Sequence, residues 1–254
     1  MSESLEGYWY RIQTQRMMRQ SVALFACAAD GNIPGYASLD DATVVHSKET
    51  SVTAAALSQA LELPFERTVA LASGGLLHDI GKSSCLDVVT SHKSLEEFDQ
   101  EARERLRHHP LVGKQIIELV YDTPEWQEPM VYTWGHHSHK SNDAHNFPTR
   151  QDFYDALERG EMSHELYSLL MHYGPVIAYA DALNVLLHPD RRGHLMEKIR
   201  KQYPDYGTNT TGVAIEIVSA ELASISNTHG VTAHDMGNIV VAQLDTIAAL
   251  AQQI

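Results

Sequence analysis

The sequence predicts an all-α protein, and three observations carry that prediction. Hydrophobic residues make up 43% of the 254 residues but aromatics only 7%, so Ala, Leu and Val supply much of the apolar content, a composition that favours helix. Apolar residues recur at helical spacing along most of the chain. No stretch shows the strict apolar–polar alternation of a half-buried strand, and there is no internal repeat or low-complexity tract. The length suits one large domain, or one domain with a substantial appendage.

The elements follow in order. Leu5, Tyr8, Trp9, Ile12, Met17, Val22, Leu24 and Phe25 fall at loose helical spacing and predict one helix over 5–29, which Asp30-Gly31-Asn32-Ile33-Pro34-Gly35 ends with a dense turn signal. Ala42 to Leu63 reads as the next helix, capped by Asp40 or Asp41, with His46 in its first turns. Pro64 starts another at about Phe65, running through Val69, Leu71, Leu76 and Leu77. Its Ser73-Gly74-Gly75 segment would weaken an isolated helix but permits close packing. Residues 83–93 read as loop. Ser94 to Arg107 reads as a charged helix with a capping box from Ser94 to Glu97, and His108-His109-Pro110 breaks it. Short amphipathic helices follow over Leu111 to Val120 and Glu125 to Trp134. A polar loop from Ser138 to Arg150 comes next, then a long apolar helix from Leu166 to Leu187 carrying Asp181. Helices over 191–203, 212–227 and 232–253 complete the chain, the last with Ile239, Val240, Leu244, Ile247 and Leu250 on one face.

Bulk properties narrow the function. A formal net charge of −14 and a pI near 5.4 argue against broad, sequence-independent binding to a nucleic-acid polymer, which needs a basic face. Two cysteines, Cys27 and Cys85, are no disulfide framework. The first residues lack a basic n-region, and no apolar run reaches the ~18 residues of a membrane span. A cytoplasmic protein away from the membrane is the expectation. The 15 histidines, against 5 Phe and 3 Trp, point to metal.

Ligand-type residues at helix ends or on apolar helix faces are His46, His78, Asp79, His109, His136, His137 and Asp181. A single helical His has an ordinary reading as a surface or satisfied core residue. Asp181, inside Ala178-Tyr179-Ala180-Asp181-Ala182-Leu183, is harder to set aside, because a buried carboxylate needs a compensating partner. A metal would supply one.

Taken together these segments resemble the HD-domain metal-dependent phosphohydrolases, over roughly His46 to Arg192. His46 and His78 lie 32 residues apart, about the family spacing. His78-Asp79-Ile80-Gly81-Lys82 matches the HDIGK motif. His109-Pro110-Leu111-Val112-Gly113 looks like the HPxxG segment and places the ligand at His109 rather than His108. Gly135-His136-His137 looks like the paired-histidine segment and Ala180-Asp181 like the final aspartate, with Asn184 where the closest relatives carry a second Asp. The nearest match is the HD-GYP group, which hydrolyses cyclic di-GMP. The chain departs from that group after the paired histidines: Ser138-His139-Lys140 and Asn146-Phe147-Pro148-Thr149-Arg150 stand where a Glu and a DGxGYP loop would be, and His188-Pro189-Asp190-Arg191-Arg192 replaces RPYR. The metal cage carries over, while the specificity loop does not.

The resemblance implies an HD helical bundle over 41–192, an N-terminal helical extension over 1–40 and C-terminal helices over 193–254. It implies two divalent ions held by the seven candidate ligands, Asp79 bridging, with a shared hydroxide aimed at phosphorus. Ala42 stands where relatives with a third ion have Glu, so two ions are expected. Imidazole and carboxylate donors suit Fe or Mn, with Zn, Co or Ni also compatible. Asp79 and Lys82 are the expected catalytic residues. Lys82, together with Arg192 or Arg191 and the loop residues His139, Lys140 and His145, would contact a small phosphorylated substrate, a phosphodiester or nucleotide. His92, His108, His164, His172, His188, His194, His229 and His234 are read as surface or core histidines, and Cys85 as packing. The rival activities are a di-iron oxygenase of the same superfamily, whose sites use four His and two Asp, an HD-type nuclease, and a regulatory module with a vestigial site. The apolar faces of the C-terminal helices suit either capping of the core or a homodimer.

Overall fold

The computed structural model describes residues 3–91, 97–138, 147–187 and 233–254. Every regular element among them is a helix, and none is a strand. The predicted helices over 191–203 and 212–227 lie outside the described residues.

The organising element is α3 (Asp41–Ala60). Asp40 is its N-cap, accepting a hydrogen bond from Thr43 N at 2.9 Å, which decides between the two candidate caps. From Thr50 to Ser58 every residue of α3 is buried, so the helix has neighbours on all faces. Its small residues allow this. Ser51, for example, donates to the Ala72 carbonyl of α4 (Phe65–Leu77) at 2.7 Å. The Gly74-Gly75 pair is the other half of the fit. A Cβ on Gly75 would lie 3.2 Å from the Ser51 Cα, and one on Gly74 would lie 2.9 Å from both Ile177 and Tyr132 side-chain atoms.

The N-terminal segment differs from the prediction. It forms α1 (Leu5–Thr14) and α2 (Arg16–Ala29), separated by Gln15 in an extended conformation with ψ 142°. No Pro or Gly marks this break. Its reason lies in tertiary phase: Ile12 and Met18 are both buried, yet six residues at about 100° each place them about 120° out of register on one straight helix. Met18 is buried where the spacing favoured Met17, which is only half-covered. Both helices pack on the central pair, α1 on α3 and α2 on α4.

After α4 the chain tightens into a 3₁₀ turn (Ile80–Ser84) and α5 (Leu86–Val89), a helix inside the predicted loop. α6 runs only from Gln100 to Arg107, capped by Asp99, which accepts from Ala102 N at 2.8 Å. The predicted capping box begins at Ser94, which lies outside the described residues. α7 (His109–Val120) begins directly at His109, with Pro110 in its first turn, where a missing N–H costs nothing. A short 3₁₀ turn (Pro124–Trp126) leads into α8 (Gln127–Gly135). α9 (Arg150–Glu158) is an element the sequence reading missed, although Thr149 and Asp152 form its capping box. α10 (His164–Leu187) contains Pro175 and packs on α3, α4 and α8. The predicted terminal helix is two, α11 (Ala233–Val241) and α12 (Leu244–Ala251), both against α3. Val240, Ile247 and Leu250 are buried there, while Ile239 and Leu244 are partly covered. No helix among the described residues is long and apolar enough to cross a membrane.

Candidate metal centre

Five elements deliver side chains to one point. His46 comes from the second turn of α3, and His78 and Asp79 from the junction where α4 gives way to the 3₁₀ turn. His109 is the first residue of α7, His136 and His137 follow directly on α8, and Asp181 lies within α10. All seven expected ligands fall in one cluster. Three overlapping groups have ligand atoms mutually within 4.8 Å: His46, His78 and Asp79; His109, His136 and His137; His78, His136 and Asp181.

Asp79 is the centre of the arrangement and is 2% exposed. Its Oδ2 lies 3.3 Å from His78 Nε2 and 3.9 Å from His46 Nε2. Its Oδ1 lies 3.1 Å from His109 Nε2 and 4.0 Å from His136 Nε2. One carboxylate therefore turns each oxygen toward a different histidine pair. Asp181 Oδ1 stands 2.9 Å from His46 Nε2 and 3.6 Å from His78 Nε2.

The histidines are oriented by their own helices. Nδ1 of His78 donates to the Gly75 carbonyl at 2.8 Å, that of His109 to Leu106 at 2.6 Å and that of His136 to Thr133 at 2.7 Å. Each bond reaches back three residues, one helical turn. With Nδ1 bonded to its carbonyl, Nε2 faces the cluster, the orientation of a metal-bound imidazole whose other nitrogen donates to a carbonyl. Position i−3 is the signal that could have identified these partners from the sequence. His46 is the exception, since its buried Nδ1 has no hydrogen-bond partner among the described residues. His137 joins through ring contacts, 4.0 Å from His136 and 4.1 Å from Phe147 between centroids. Phe147 also meets His109 edge-on, a role for the retained Phe-Pro that its sequence position did not reveal. His108 is exposed, bonded to the Glu104 carbonyl, so the geometry separates it from its neighbour. His164 and His234 are also exposed, and Cys85 is buried in a small cluster with Val88 and Ala102.

At the centre, burial and the two carboxylates pull the titrating groups in opposite directions. Burial pushes Asp79 up, but His78 and Lys82 overcome it and hold the carboxyl well below the usual range. Asp181 is likewise held low, by His46 and His78 against burial. Burial works against charge on His78, yet Asp79, then Asp181, outweigh it and lift the imidazole to about 10. His46 and His109 are lowered by burial, and His136 is lowered further because His78 and His109 add to burial. Lys82 Nζ lies 2.5 Å from Asp79 Oδ2 with its side chain 24% exposed. Burial opposes its charge, but Asp79, Asp181 and Asp40 hold its pKa above normal. The lysine expected to meet phosphate thus sits on the central carboxylate.

The donors suit a divalent cation: imidazoles with Nε2 inward, the buried carboxylate of Asp79 and the partly buried one of Asp181, and no thiolate among the described residues of the cluster. A pH dependence follows. Metal must displace the proton held on His78, so affinity should rise with pH from 6 to 9, with about one proton released per centre at neutral pH. Calorimetry in two buffers of different ionisation enthalpy reads that proton directly. In the metal-free protein, His78 contributes stability fully below its ordinary 6.5 and loses it as pH rises through about 10. Asp79 and Asp181 contribute above their ordinary 3.8 and lose it as pH falls through their lowered values. The metal-free melting temperature should therefore be highest between these limits and fall on both sides.

His139, Lys140, His145, Arg191 and Arg192, the expected substrate contacts of the loop and of the region beyond α10, lie outside the described residues, as do His92, His188, His194 and His229. No protein-family model matches the chain, and neither a curated protein nor a solved structure matches it.

Proposed function

We propose that the chain is an HD-type metal-dependent phosphohydrolase that cleaves a phosphoester of a small molecule at a centre of two divalent ions. The observation that carries this reading is the division of Asp79, with Oδ2 toward His78 and His46, and Oδ1 toward His109 and His136. His46, His78 and Asp181 would complete one position, and His109, His136 and His137 the other, with Asp79 between them. Fe and Mn suit the donors best. Bound divalent ions supply a water of lowered pKa and neutralise phosphoryl oxygens.

The protein's own groups do the rest. Nδ1 bonds to the Gly75, Leu106 and Thr133 carbonyls keep three imidazoles aimed inward. Lys82, partly exposed beside Asp79, swings to a non-bridging phosphate oxygen when substrate arrives and carries the charge built up in the transition state. The net charge of −14 counts against a nucleic-acid polymer and a nuclease role, which leaves a small substrate, a phosphodiester or nucleotide. Lys82→Ala should keep its full metal content and lose turnover by ~10²-fold, the effect of one preorganised charge contact. Loss of metal instead would make Lys82 part of the scaffold.

A rival reading keeps the fold and changes the chemistry: a di-iron oxygenase, whose sites use four His and two Asp. The fifth histidine, His137, whose ligand atom groups with those of His109 and His136, favours the hydrolase. Metal analysis of anaerobically purified protein, followed by turnover of a phosphoester panel including cyclic di-GMP, separates the two. Phosphoester cleavage supports the hydrolase. Oxygen uptake with an alcohol or phosphonate, and no cleavage under any metal loading, would overturn it.

A further inference from the structure

Three of the clustered histidines are oriented by a carbonyl one turn earlier, but His46 is not, because its Nδ1 has no hydrogen-bond partner among the described residues. Nor does Asp181 have an orienting donor from outside the cluster among the described residues, where its closest polar neighbours are His46 and His78. The placement of this pair, 2.9 Å apart across 135 residues of chain, must come from how α3 and α10 are docked.

A second polar contact between the same helices lies one turn further along. Asn184, 3% exposed on α10, donates through Nδ2 to Thr50 Oγ1 at 3.3 Å and to Thr53 Oγ1 at 3.2 Å, and the Thr53 hydroxyl also lies 3.4 Å from Asn184 Oδ1. Thr50 and Thr53 follow His46 by four and seven residues, so they share its stripe of α3, and Asn184 follows Asp181 by three and shares its stripe of α10. Both threonines are fully buried. Apolar burial is non-directional, so the surrounding alanines and leucines would tolerate a small slide of one helix on the other. Hydrogen bonds between buried groups are directional, and breaking them leaves polar atoms unsatisfied.

We infer that Asn184, gripped by Thr50 and Thr53, is a positioning residue that fixes the register of α3 against α10 and thereby sets the affinity and geometry of the metal position shared by His46 and Asp181. This inference rests on reading the cluster as a metal centre. It distinguishes that position from the one around His109 and His136, whose imidazoles are held by their own helices.

The test uses the full chain loaded with Co²⁺, reading affinity by chelator competition, coordination by the visible absorption band, and metal-free stability by thermal melting. Asn184→Leu keeps the branched four-atom outline of the side chain and removes the clamp. It should weaken one of the two Co²⁺ sites by about tenfold and alter its band, leaving the other site unchanged. Thr50→Val with Thr53→Val should reproduce the effect from the other helix, and combining all three should add little further loss. Where Asn184→Leu fails to fold, the near-isosteric Thr53→Val alone carries the same expectation in smaller degree. Unchanged Co²⁺ affinity and spectrum with lowered stability would overturn the inference, as would equal weakening of both sites. Failure of the wild-type protein to bind Co²⁺ would instead overturn the metal reading beneath it.

Discussion

On the two-ion reading, Asp79→Ala should leave the protein unable to hold either ion. The carboxylate is the one group whose two oxygens face both histidine pairs, and it is buried among them. Removing it leaves neutral imidazoles around Asp181, with less negative charge to offset the desolvation of a divalent cation. The same change strips Lys82 of its partner and removes the main cause of the raised His78 pKa, so the metal-free variant should no longer lose stability as pH approaches 10. Elemental analysis after desalting should find no bound metal, and phosphoester turnover should fall by on the order of 10³-fold or more. Asp79→Asn keeps the shape and one acceptor oxygen but no charge, and should retain a single weakly bound ion. Two ions retained in Asp79→Ala would sink the bridging assignment, whatever happened to turnover.

Gly81→Ala should damage the same centre without touching any ligand. The 3₁₀ turn after Asp79 packs against the start of α7 so closely that a Cβ on Gly81 would overlap the His109 carbonyl oxygen and lie 2.6 Å from Gly113 N. Both neighbours are backbone, so no rotamer change relieves the clash, and the turn and α7 must separate. That motion draws His109 away from Asp79 Oδ1, now 3.1 Å distant. The expected cost is about 2–3 kcal/mol of stability from overpacking, a fall of roughly 5–10 °C in Tm, and at least a tenfold loss in metal affinity. Gly160→Ala is the control. Its φ of +73° also favours glycine, but no atom lies within 4 Å of the added Cβ. Its stability should drop by about 1 kcal/mol with metal affinity unchanged. A Gly81→Ala protein that melts lower yet binds metal normally would show that the turn packs without positioning.

Much of the helical architecture was legible because amphipathic helices leave a 3.6-residue trace, and α3, α4, α7 and α10 begin and end close to where caps, prolines and apolar runs place them. The Gln15 break carries no Pro or Gly and comes from α1 and α2 meeting different neighbours, α3 and α4, rather than from local preference. The division of the terminal helix likewise carries no Pro or Gly at the break, and both halves pack on α3. α9 is different, since its Thr149–Asp152 capping box stood in the sequence and the polar surroundings obscured it.

For the site, the sequence alone singled out His46, His78, Asp79, His109, His136, His137 and Asp181, through ligand-type residues at helix ends and a charge inside an apolar helix. Chain order could name them because the chemistry requires those residue types. It could not say which oxygen of Asp79 faces which imidazole, that Lys82 rests on Asp79, that Phe147 lies against His137, or that Asn184 ties α10 to α3. Those facts depend on how helices separated by up to 135 residues are packed. Packing at that range is decided by burial and hydrogen-bond satisfaction across the whole core, which no local stretch of sequence encodes.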